Sequence, residues 1–181
     1  MKKNKSKITW QDVKNTLIKK DNGELIKLIR DLYSLNDKNK AFIHARYSFI
    51  DPLTPYKAII SKSLYPDPMR NEPLKLGAGR KAISEYKKAV GDPIGVLELS
   101  IYYIEYGHKF TLEYGDIDEQ FYDSLESMFD RVLKMLTQFD QTIIDKYFPR
   151  LLSLTEEVSG IGWGHYDYLI TELEEAFPDK F

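Results

Sequence analysis

Two apolar stripes run side by side from Pro93 to Tyr114. One holds Ile94, Leu97, Ile101, Ile104, His108 and Leu112; the other holds Val96, Leu99, Tyr103, Tyr106, Phe110 and Tyr114. Spacings of three and four stack side chains on one helix face. A surface helix carries one such stripe. Two predict a helix enclosed on both sides, around which the other elements gather. Asp92 suits the N-cap and Pro93 the first helical position, where a missing N–H costs nothing. Gly107 weakens the helix locally and leaves room for a close neighbour. After a break at Gly115-Asp116-Ile117-Asp118, a second arm carries a single stripe: Phe121, Leu125, Met128, Val132 and Met135 or Leu136. Its other side holds Glu119, Asp123, Glu126 and Asp130, with Asp118 as the expected cap.

The same periodicity predicts shorter helices on either side. Residues 1–7 are basic without an apolar period and read as a disordered tail. Thr9 caps a helix expected to bury Trp10, Val13 and Leu17. Leu25, Leu28, Ile29 and Leu32 mark a second helix, and Asp37 starts a third that buries Phe42, Ala45 and Phe49. Thr54-Pro55 opens a fourth, burying Tyr56, Ile59, Ile60 and Leu64. Residues 66–79, with three prolines and two glycines, form the longest irregular segment. A helix follows over about Arg80–Val90. After the central hairpin, Asp140 or Gln141 opens a helix that Pro149 interrupts. Gly160-Ile161-Gly162-Trp163-Gly164 is a turn, and a last helix buries Tyr166, Leu169, Ile170 and Leu173. No stretch alternates as a strand does. The expected fold is all-α: about nine helices in one domain over 8–181, an irregular bundle or short array around the central buried helix.

Composition narrows the chemistry. The chain has no cysteine, which excludes disulfides and thiolate chemistry. No apolar run is long enough for a signal peptide or a membrane span, so the expected setting is cytoplasmic, with no membrane partner. The net charge of −2 hides an asymmetry: residues 1–100 carry +9 and residues 101–181 carry −11. Such a split points to association between unlike surfaces, within the fold or between copies as a homo-oligomer, or to a nucleic-acid face.

Four constellations carry candidate chemistry. Glu105 and His108 stand three apart on one helix face, the Glu-x-x-His spacing of carboxylate-bridged metal bundles. Those bundles need the motif twice, and here it occurs once; the plainer reading is a core histidine. Arg80, Lys81, Lys87 and Lys88 form a cationic stripe able to neutralise phosphates, with Gly77-Ala78-Gly79 before it to offer free amides; otherwise it is ordinary surface. Glu119, Asp123, Glu126 and Asp130 could dock a basic partner or form a solvated face. Trp163, His165, Tyr166 and Asp167 crowd a glycine turn, as pocket residues or as a structural anchor. No Gly-x-Ser-x-Gly or His-Glu-x-x-His is present. No catalytic residue or cofactor is assigned, and the balance leans away from an enzyme.

Arg80–Ala89, Phe110–Asp118, Phe121–Met128 and Gly160–Gly164 together resemble a family of small bacterial proteins known only as a domain of unknown function. The resemblance spans the chain from about Leu25 onward and implies a bacterial protein, with no activity, cofactor or site residues attached. The expected function is a protein-interaction module with an unknown partner, since Tyr and Phe, 22 in all, favour interfaces. The alternatives are nucleic-acid or phosphate binding through the Arg80–Lys88 helix, and an enzyme pocket near Glu105, His108 and the 160–165 turn.

Overall fold

A computed structural model describes residues 8–47, 51–70 and 72–181. The expected basic tail, residues 1–7, and Phe49 lie outside the described residues. Among those described there are nine α-helices, two short 3-10 turns and no strand. The fold is therefore all-α, as the periodicity predicts. The chain separates into two compact units, divided between Ile43 and His44, within the span expected as one domain.

The first unit contains α1 (Trp10–Leu17), α2 (Asn22–Leu35) and most of α3 (Asp37–Arg46). Reciprocal capping boxes open the first two: Thr9 with Asp12, and Asp21 with Glu24. Their apolar stripes are as regular as expected, yet neither helix buries a residue. Trp10 is 69% exposed and Leu35 72%, against the expectation that Trp10, Val13 and Leu17 are buried. Periodicity fixes which face is apolar, and burial needs a second surface to meet it.

The second unit holds α4 (Thr54–Leu64), α5 (Leu76–Ala89), α6 (Pro93–Tyr114), α7 (Glu119–Leu136), α8 (Gln141–Glu156) and α9 (His165–Ala176). The helix α6 touches α4, α5, α7 and α8. Asp92 accepts from the amides of Ile94 and Gly95. Leu97, Ile101 and Ile104 of one stripe and Leu99 and Tyr103 of the other are fully buried. Burying one such side chain is worth about 1.5–3 kcal/mol, so two stripes hold neighbours on both sides. Only the stripe ends emerge: Ile94, Leu112 and Tyr114 are exposed. Gly107 makes room for α7, since a Cβ there would overlap the Leu125 side chain.

Two boundaries differ from the sequence expectation. The helix α5 starts at Leu76, not near Arg80, so Gly77-Ala78-Gly79 is its first turn. The helix α8 runs unbroken through Pro149. Proline removes the bond to the carbonyl four residues earlier; that carbonyl belongs to Asp145, an exposed residue, so water can take the place of the lost donor.

Candidate functional site

The second unit brings together two residues that the chain separates by 57 positions. His108 projects from α6 and His165 from the first position of α9, and both are buried. Their Nε2 atoms lie 3.0 Å apart, with the rings edge to face at 87°. His108 Nδ1 donates to the Leu154 carbonyl at 3.1 Å. That carbonyl lies in the last turn of α8, where it has no intrahelical donor, so the imidazole serves as the cap. His165 Nδ1 lies 2.8 Å from Glu126 Oε1 on α7. All four ring nitrogens are thus engaged. Burial, together with the neighbouring His165, pushes His108 down to about 3 from the usual 6.5. Burial also lowers His165, opposed by the Glu126 carboxylate.

A second set of bonds fixes the glycine turn beside this pair. Asp116, from the break between α6 and α7, accepts the Gly162 amide and the Tyr122 hydroxyl at the same oxygen, each at 2.9 Å. The Tyr122 hydroxyl is 2.7 Å from Thr111 Oγ1, and its ring packs on His165 at 4.9 Å. Gly162, Trp163 and Gly164 follow one another with φ of 72°, 27° and 101°. For tryptophan this left-handed backbone is strained. The turn holds Trp163 80% exposed.

The exposed tryptophan lines a cleft of about 430 Å³, together with Glu119, Tyr122, Asp123, Glu126, His165 and Tyr168. The acidic row on α7 is therefore divided. Glu126 is taken by His165, and Asp130 accepts both bonds from the Tyr168 hydroxyl, at 3.0 and 3.1 Å. Glu119 and Asp123 are exposed and have no side-chain partner among the described residues. Tyr166 is half-buried and Asp167 exposed; neither lines this cleft, because they fall on other faces of α9.

The remaining sequence candidates sit elsewhere. Glu105 is held by Arg150 of α8 through two bonds, Nε–Oε1 at 2.6 Å and Nη2–Oε2 at 2.9 Å. Arg150 also reaches Glu98 at 2.7 Å, and Glu98 pairs with Lys57 at 3.0 Å. One helical turn separates Glu105 from His108, yet Glu105 joins a rim of fixed charges and His108 joins a buried relay. Among the described residues no group of three His, Asp or Glu side chains is arranged to hold a metal ion. Arg80, Lys81, Lys87 and Lys88 are all exposed along α5. The amides of Ala78 and Gly79 are bonded to the Lys75 carbonyl, so the glycines before the stripe are not an open cradle. Gly79 is buried against Tyr103.

Periodicity flagged His108 as buried and the glycine turn as special, but their meeting is a tertiary contact with no local signal. The sequence marks Asp116 only as an acidic residue in the hairpin break, and nothing in it signals that Asp116 and Tyr122 lock the turn. Comparison with family models, curated proteins and solved structures finds no match.

Proposed function

We propose that this chain is a protein-interaction module that receives a basic segment of its partner in the cleft between α7 and α9. The observation that carries this reading is Trp163, an indole held exposed on a strained turn beside the unpaired carboxylates of Glu119 and Asp123. An aromatic face attracts a lysine or arginine head group, and nearby carboxylates add Coulomb attraction. Keeping a large apolar side chain in water on a backbone that disfavours it has no evident packing return. Occupation of the cleft supplies one.

Fluorescence tests the reading directly. In a Trp10→Phe background Trp163 is the sole indole. A blocked Lys/Arg tetrapeptide should change its emission saturably, and added salt should weaken the effect. Glu119→Gln with Asp123→Asn should weaken binding several-fold, and Trp163→Ala, which removes the indole and is followed by calorimetry instead, should abolish it. Equal responses to basic and acidic peptides, or none to either, would overturn the proposal.

A further inference from the structure

The relay of Glu126, His165 and His108 has a proton inventory that its geometry dictates. The Leu154 carbonyl only accepts, so His108 carries its proton on Nδ1. The two facing Nε2 atoms need one proton between them, and the contact of His165 Nδ1 with Glu126 needs another. Three hydrogen bonds require three protons. Two neutral imidazoles and an ionised carboxylate supply only two. The intact relay therefore holds one extra proton, shared along the line from Glu126 to His165. Losing it breaks one of the three bonds; adding a fourth sets two N–H groups head to head.

Other groups facing His165 bear on that proton. From α6 it meets His108. From α7 it meets Glu126 and the Tyr122 ring. On the open side the cleft adds Glu119, Asp123 and Tyr168, the last bonded to Asp130. Glu126 is the one carboxylate that both lines the cleft and bonds the relay, and its side chain is 22% exposed.

We infer that the cleft exchanges a proton for its cationic ligand: Glu126 holds proton-bearing His165 when the cleft is empty, and gives its carboxylate to the ligand's ammonium or guanidinium when the cleft fills. His165 then loses the Nδ1 proton to solvent, so charge balances as one cation replaces another. This inference rests on the cleft reading above and adds its regulation: affinity rises with pH across the titration of His165. Burial lowers His165 and Glu126 opposes that, so the exchange belongs on the acid side of 6.5.

Calorimetry of the full chain with the same blocked Lys/Arg tetrapeptide decides it. On the acid side of pH 6.5, two buffers of different ionisation enthalpy should give different heats, corresponding to release of up to about one proton per peptide. Affinity should rise by up to about tenfold per pH unit through the transition. Glu126→Gln should still bind through Trp163, Glu119 and Asp123, but release no proton. Binding with identical heats in both buffers would overturn the exchange and leave the cleft reading standing. No binding at any pH would overturn both. If the Gln variant fails to fold, nitrogen-15 spectra of the ligand-free wild type provide the second measurement, because only His44, His108 and His165 contribute histidine signals. His165 doubly protonated in acid and singly at pH 8 supports the exchange; a neutral His165 throughout overturns it.

Discussion

Glu105 and His108 stand one turn apart on α6 and belong to polar networks with different physics. The outer network, Lys57–Glu98–Arg150–Glu105, consists of permanent charges near the surface. Despite burial, the two carboxylates hold Arg150 above its usual range, and Arg150 and Lys57 hold Glu98 below its own. The inner network, Glu126–His165–His108–Leu154, is held by protons in a buried site. A shift of 60° around one helix thus changes the currency from charge to protonation. The outer set joins helices under any ordinary condition, whereas the inner set responds to its surroundings.

Substitutions can break this comparison at either end. Arg150→Ala takes away the partner of Glu105 and leaves Glu98 with Lys57 alone, and should cost about 2–3 kcal/mol in a urea melt. Neither Arg150 nor Glu98 changes charge near neutrality, so the cost should be the same at pH 6 and pH 8. His108→Leu removes the α8 cap and the partner of His165, for a loss of about 2 kcal/mol at pH 7. Here pH matters. Burial depresses the folded pKa of His108, so the unfolded chain binds more protons below 6.5, and stability falls as pH drops toward 3. The wild type should lose about 2 kcal/mol between pH 7 and pH 5 from this group. His108→Leu escapes that loss, so the two stability curves should converge in acid. Parallel curves would show that His108 is not the titrating group.

Gly162→Ala sharpens the comparison at the glycine turn. It forces a side chain onto a left-handed backbone and into the Tyr122 ring, and should destabilise by about 1–2 kcal/mol while shifting Trp163 emission. Trp163→Gly should do the reverse, gaining up to about 1 kcal/mol by relieving strain while abolishing peptide binding. A stable, inert variant is the signature of a residue kept for recognition.

Much of this arrangement was legible in the chain. The double stripe of α6, the caps Asp92 and Asp118 and the glycine turn all follow from local rules. Local rules also put Glu105 beside His108, and there they mislead: i,i+3 spacing shows that two side chains share a helix face, not that they share a partner. Arg150 and His165 decide those partners, and they arrive from helices 45 and 57 residues away. The stripes of α1 and α2 teach the complementary lesson, since a regular apolar face says nothing about whether anything covers it.

Those two uncovered helices have a kinetic consequence. Because neither buries a residue, these 8- and 14-residue helices rest largely on their capping boxes and backbone bonds. Their amides should take up deuterium within seconds to minutes, while those of α6 wait for global unfolding. Immersion in heavy water would thus draw the boundary between the two units, and any molecule that settled on α1 and α2 would announce itself by slowing that exchange.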